Sequence, residues 1–236
     1  MTSTMIAAFR ETDDVQIRAG IDASVFEQVA ALHRVILPPV HREVLGWSNG
    51  METYTGYFRL FGLGATAGMD MLAWNHPEYW KFAWQDRCSA YWCFGETAWG
   101  DQYAYSIESL YEGQDGEVYF LDAVSMTPEV IATSFADFLE NELLRSAREP
   151  YDQMIRLARQ KFGPLEISSH LVYMPSLLLG GTETVENVQT MNARAAMICN
   201  GDLAVELDAG PPNGTVKSVQ SYEDAHGRMR LRVLWT

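Results

Sequence analysis

Histidines, cysteines and closely spaced carboxylates are the side chains through which this 236-residue chain could do chemistry. The five histidines, His33, His41, His76, His170 and His226, form neither a His-x-x-x-His nor a His-Glu-x-x-His pair. His33 and His41 are separated by a Leu37-Pro38-Pro39 break, with no acid pair nearby to complete a metal site. Each histidine therefore reads as a surface or capping residue. The three cysteines, Cys88, Cys93 and Cys199, are odd in number and lack a Cys-x-x-Cys spacing. They read as reduced thiols, with Cys88 and Cys93 as small core residues. Gly62-Leu63-Gly64-Ala65-Thr66-Ala67-Gly68 has the outline of a nucleotide-binding glycine string but lacks the strand–helix context such a loop needs. Glu96, Asp101, Glu108 and Asp122 could include the acid/base pair of a carbohydrate-active hydrolase, beside tryptophans suited to sugar stacking. Nothing in their sequence spacing sets the distance between the carboxyls. No catalytic residue, metal site or cofactor is assigned.

The same carboxylates support an electrostatic reading. The chain has 17 Lys+Arg against 31 Asp+Glu, a net charge of −14. Residues 1–150 carry −13 of that charge and residues 151–236 carry −1. Between Arg87 and Arg145 there is no Lys or Arg, while that stretch holds eleven acids, from Glu96 to Glu142. Such a surface repels nucleic acid and anionic lipid. It attracts a basic protein and speeds the encounter. Solubility alone also favours an acidic face, which is the plainer explanation. No apolar run reaches the roughly 18 residues of a membrane span, and the first ten residues lack the basic and apolar regions of a signal peptide. With unpaired cysteines, these features point to the cytoplasm.

Several elements must position these residues. Asp22 to Leu32 has helical spacing at Val25, Phe26, Val29 and Leu32, and Leu37-Pro38-Pro39 leads into a second helix over His41 to Trp47. Ser48-Asn49-Gly50 closes it. Tyr54 to Leu63, Ala90 to Gly95, Gln102 to Ile107 and Gly116 to Leu121 read as antiparallel strands. Asp70 to Arg87, with Trp74, Trp80 and Trp84, reads as helical around Pro77. Thr133 to Leu144 is an amphipathic helix with Phe135, Phe138, Leu139 and Leu143 on its apolar side. Beyond Glu149-Pro150, Tyr151 to Phe162 reads as a helix, and Leu171 to Leu179 and Ala195 to Leu207 as strands, the second broken at Asn200-Gly201-Asp202. Thr215 to Tyr222 and Arg228 to Trp235 form a hairpin, with Arg228, Arg230 and Arg232 as a solvated basic face. The class is α+β: an antiparallel or mixed sheet flanked by helices, with a β-rich C-terminal extension packed on it. A domain over residues 1–150 and an extension over 151–236 are expected to behave as one compact unit, because no long polar linker separates them.

Leu37-Pro38-Pro39 followed by Ser48-Asn49-Gly50 resembles the opening signature of the SUKH superfamily of the Smi/Knr type. Cys93-Phe94-Gly95-Glu96 with Trp99-Gly100-Asp101 is similar to its central strand motif. Glu117 to Asp122, then Ala132 to Leu139, resemble its closing strand and helix. The resemblance covers residues 22–145. It implies an α+β fold without catalysis and, for bacterial members, immunity proteins that neutralise toxins, many of them nucleases or deaminases. Fungal relatives regulate cell-wall assembly through protein contacts. The combined reading is a non-enzymatic, cytoplasmic binding protein for a basic toxin domain, with neither nucleic acid nor membrane as partner. Glu96, Asp101, Glu108, Glu112 and Asp115 are the expected partner-binding residues. The alternatives are an interaction module for envelope synthesis and a carbohydrate-active hydrolase.

Overall fold

Seven short segments follow one another in chain order across a single antiparallel sheet: β1 (Gln16–Ile17), β2 (Met51–Thr53), β3 (Phe58–Leu60), β4 (Tyr91–Thr97), β5 (Gln102–Ser106), β6 (Val118–Leu121) and β7 (Pro128–Ala132). The computed structural model describes residues 2–64, 69–113 and 115–236. Ala65–Gly68, the second half of the glycine string, therefore lies outside the described residues. Each strand pairs with its sequence neighbour, so no crossover is needed. The strand expected over Tyr54 to Leu63 shrinks to β3, because Tyr54 and Thr55 take positive φ (51° and 59°) and turn through a 3-10 segment ending at Gly56.

A bulge decides what β4 presents. Cys93 pairs with Ala104 and Gly95 with Tyr103, leaving Phe94 as the extra residue. Alternation would put Phe94 and Glu96 on one face of the sheet; the bulge puts them on opposite faces. Gly95 is required at this point, since a Cβ there would sit 2.5 Å from the Arg59 carbonyl oxygen on β3.

The helices are α1 (Thr2–Arg10), α2 (Ala23–His33), α3 (Pro39–Trp47), α4 (Met71–Trp74), α5 (Ile107–Glu112), α6 (Phe135–Phe138), α7 (Leu144–Arg148), α8 (Gln153–Phe162) and α9 (Ala193–Asp208). A π-helical turn over Leu139–Leu143 joins α6 to α7, so the amphipathic helix read from Thr133 runs on from Phe135 to Arg148. Its apolar side, Phe135, Phe138, Leu139 and Leu143, is buried. Phe94 stacks on Tyr105 at 4.4 Å, and Tyr103 meets Phe138 at 4.7 Å. His41 lies inside this cluster, 4.1 Å from Phe135 and fully buried, so it is not the surface or capping residue its isolation in sequence suggested. Burial lowers its pKa to about 3, which makes it a neutral core ring. The expected helical stretch from Asp70 to Arg87 resolves into α4 and a 3-10 turn over Lys81–Trp84, and its three tryptophans are buried. Cys88 and Cys93 are buried free thiols, with pKa values pushed by burial up to about 11 and about 12.

Two further antiparallel pairs follow: β8 (Ser169–Tyr173) with β9 (Val188–Asn192), and β10 (Val216–Glu223) with β11 (Met229–Trp235). Between them stands α9, where the sequence reading placed a strand. Ala193, Ala195, Ala196 and Ala204 favour helix, and the Asn192 side chain caps its start by accepting from the Ala195 N–H. The Asn200-Gly201-Asp202 tripeptide does not break α9, because each residue serves a tertiary contact. Asn200 donates to the Ala123 carbonyl, and Gly201 lets the helix close on Ala83 and Trp84. Asp202 is buried beneath Arg230, which grips it at 2.5–3.0 Å. The basic face of β11 is thus not freely solvated: Arg230 holds Asp202, and Arg228 holds Glu78 and Asp224. Both guanidinium groups also lie over the Phe82 ring. Only Arg232 of the three is exposed.

Candidate functional site

The five carboxylates chosen from sequence do not form one site. Glu96 lies inside the protein, 0% exposed. Arg59, 1% exposed on β3, donates to its Oε1 at 2.8 Å, while Nε2 of His170, on β8, lies 3.0 Å from its Oε2. Gln102 Nε2 approaches the same oxygen at 3.4 Å, while Gln102 Oε1 accepts from the Trp74 indole N–H at 2.7 Å. Arg59 spends three more donors on the carbonyls of Gly56, Glu166 and Ser169, each at 2.9 Å. Burial pushes the Glu96 carboxyl up, but the facing His170 and Arg59 outweigh it and hold the pKa below the ordinary range. Glu96 therefore neither meets a partner nor reaches a sugar. It belongs to the internal frame, and His170 is fully buried with it rather than lying at the surface.

Asp101 follows β4 at a half-buried turn. Its carboxylate accepts from the Thr97 hydroxyl at 2.6 Å and the Ala123 N–H at 2.9 Å, and burial raises its pKa to about 6. It walls a cleft on the side of the sheet that faces residues 151–236. Asp122, the fourth carboxylate of the hydrolase reading, lies on the same cleft and accepts from the N–H groups of Val124 and Ser125.

The other three acids stay together and face solvent. Ser106 caps α5 by accepting from the Ser109 N–H, and Gly113 ends it in the left-handed conformation at φ 65°. This short helix sets Glu108 and Glu112 on the surface, with Asp115 just beyond in the loop, all exposed. Among the described residues, neither Glu108 nor Glu112 has a hydrogen-bond or ion-pair partner. Asp115 Oδ1 lies at the 3.5 Å limit from the Phe135 N–H. Glu108 is in the first turn, where a carboxylate suits the helix dipole; Glu112 ends the last turn, where it does not. The fold itself gains nothing from an acid at 112. Tyr111 lies between them in sequence, 58% exposed, and borders a shallow hollow with Ala30, Arg34 and Ile36. Arg34 is the one cation lining that hollow. The sequence reading missed Tyr111, although an aromatic flanked by two acids in an α-helical turn was visible there.

The family model of the SMI1 / KNR4 family (SUKH-1) matches residues 20–141, more than half of the chain. The chain belongs to this family. The matched SUKH-1 segment begins just before α2 and takes in β2 to β7, the exposed acids of α5 and the first part of the helix that starts at Phe135. It does not include His170, Glu166 or Ser169, which close the Arg59–Glu96 frame from outside the family segment. Among solved structures, the chain is similar to the crystal structure of Atu4351 from Agrobacterium tumefaciens, with a TM-score of 0.54 and 14% identity. That likeness covers 83% of this chain and 87% of the other, and it establishes a shared fold. Residues 1–150 cannot supply that share alone, so the common fold continues into the C-terminal part. No curated protein matches the sequence. Among the described residues no helix is long and apolar enough to cross a membrane.

Proposed function

We propose that this SUKH-1 protein is a non-enzymatic cytoplasmic binding protein that docks a basic protein through the surface around α5, as an immunity protein docks the toxin it neutralises. The observation that carries this reading is Glu112. It is an exposed carboxylate at the unfavourable end of α5, without a partner among the described residues, next in sequence to the exposed Tyr111, one helical turn after Glu108 and three residues before Asp115. An exposed aromatic anchor close in sequence to three carboxylates, with Arg34 as the one cation on its hollow, matches how interfaces divide their work: the ring supplies buried area, and the charges steer the encounter. A toxin that acts on nucleic acid needs Lys and Arg for the phosphates, so an acidic surface can cover that site.

The test is to recover the partner from a native lysate on the wild-type chain and then follow association from low to high salt. The triple reversal Glu108→Lys, Glu112→Lys, Asp115→Lys is expected to slow association at least about tenfold at low salt and to flatten its salt dependence. The wild-type fold should persist, because each of these exposed charges contributes on the order of 0–1 kcal/mol to stability. An unchanged rate and an unchanged salt slope in the folded triple variant would remove this surface as the docking site.

A further inference from the structure

Behind the sheet, two neighbouring hollows make up a two-part cleft. The inner one, about 340 Å³, is walled almost wholly by apolar side chains from three places: Met174 and Leu179 after β8, Leu203 of α9, and Val219 and Leu231 of the hairpin. The outer one, about 280 Å³, lies beside Trp99 and Tyr173, whose rings stack at 4.8 Å, within 9° of parallel. Val172, Tyr173, Ser176 and Asn200 line both, so the two hollows are neighbours. Around the outer hollow stand Asp101, Asp122, Asp152 and Glu183, and neither hollow is lined by Lys or Arg. Neutral groups satisfy Asp101, Asp122 and Asp152, the last through the Trp99 indole N–H, which donates to it at 2.7 Å. None of the four has an ion-pair partner among the described residues. Their charge is therefore not neutralised, and Asp122 and Asp152 add to the raised pKa of Asp101.

We infer that this cleft is a second docking site, which takes a polypeptide segment of the partner carrying an apolar side chain next to a Lys or Arg. The apolar side chain fills the inner hollow. The cation sits among the four carboxylates, against the aromatic pair, where both charge and ring quadrupole favour it. Charge complementarity singles out a basic partner over a second copy of this chain, whose net charge of −14 opposes self-association. The inference rests on the proposed function only in taking the partner to be basic.

The experiment uses the full chain and capped dipeptides, with the indole N–H of Trp99 as the NMR reporter. Acetyl-Leu-Arg-amide is expected to shift that signal saturably, with a dissociation constant on the order of 1 mM. Its neutral citrulline counterpart should bind at least about tenfold more weakly, as should the arginine peptide to Asp152→Asn/Glu183→Gln. Asparagine keeps one oxygen for the cap on α8 but gives up the acceptor of the Trp99 indole N–H, so binding to the double variant is read from the backbone amide signals of Leu171 and Val172, with its fold checked by circular dichroism. Equal binding of the charged and neutral peptides, or an immobile Trp99 signal, would overturn the inference. Hexylamine binding as tightly as the peptide would also overturn it, because a free amphiphilic amine would then be the ligand. The two readings fail separately. If the α5 triple reversal slows the recovered partner while the peptides leave Trp99 unmoved, only the cleft falls. If the peptides titrate Trp99 but no basic partner binds the chain, the cleft stands and the α5 reading falls.

Discussion

On one face of the main sheet Phe94, Tyr103 and Tyr105 meet Phe135, Phe138 and His41; on the other, Arg59, Glu96 and Gln102 meet Trp74 and His170. Both faces are dry, but the first is held by area and shape and the second by direction. An aromatic cluster depends on volume, and the loss of one ring leaves the other contacts in place. A buried guanidinium and carboxylate tolerate burial only while each keeps its partners, because an unmatched charge in the interior is far more costly than an unmatched methyl group. The difference also has a topological consequence. The aromatic face is closed by helices from residues 1–150, whereas Arg59 and Glu96 reach Glu166, Ser169 and His170. The polar face thus fastens the C-terminal part to the sheet.

The largest effect is expected on the aromatic face. Phe138→Ala should cost about 3–5 kcal/mol in urea unfolding, since the ring is fully buried against Phe94 and Tyr103. A loss below about 1 kcal/mol would mean that the helix face can repack, and the contrast between the two faces would weaken.

On the polar face Arg59→Met should cost about 3 kcal/mol, because it strands Glu96 with His170 as its only charged or chargeable neighbour. Adding Glu96→Leu should restore part of that loss, since removing both charges also removes the unmatched one. The aromatic face offers no such rescue. We propose that residues 1–150 and 151–236 unfold together as one unit, with this frame as the fastening. Limited proteolysis of the wild-type chain, with the frame intact, should then attack both parts at one rate. A stable fragment ending near residue 150 that unfolds by itself would show that they are separable.

How much of this could be read from the chain depended on how far the deciding partner lay. The strands β4, β5 and β6, the helix from Phe135 and the last hairpin announce themselves through local periodicity, and they lie close to where the sequence puts them. The strand read across α9 went astray because Asn200-Gly201-Asp202 looks like a turn when its partners are unseen. Those partners are Ala123, Trp84 and Arg230, remote in sequence. Glu96 looked like any other acid of the basic-free stretch because its match, His170, is 74 residues away. His41 and His170 were placed at the surface for the same reason: a histidine's own neighbours do not say whether a ring or a carboxylate will cover it. Glu108, Glu112 and Asp115 lie exposed, as their polar stretch suggests, because exposure there depends on little beyond the residue's own turn.

The smallest effect separates two acids that stand five residues apart, Glu96 on the polar face and Asp101 at the rim of its cleft. Glu96 is held below the ordinary carboxylate range, so the stability it contributes is present at neutral pH and is lost as pH falls through that range. Asp101 works in the opposite sense. With its pKa raised to about 6, the folded state binds the proton more tightly than the unfolded chain does. The group therefore favours folding most below about pH 4, and that contribution fades as pH rises through about 6. At full ionisation the loss is on the order of 1–3 kcal/mol, and the open side of the cleft screens it toward the lower figure. Asp101→Asn cannot ionise and keeps an oxygen for the Ala123 N–H. Its stability relative to wild type should therefore improve on going from about pH 4.5 to about pH 7.5, by on the order of 1 kcal/mol. Taking the difference between the two proteins cancels the acid lability that both share through Glu96. A difference that stays flat over that interval, or that moves in favour of the wild type, would mean that Asp101 is solvated like the acids of α5.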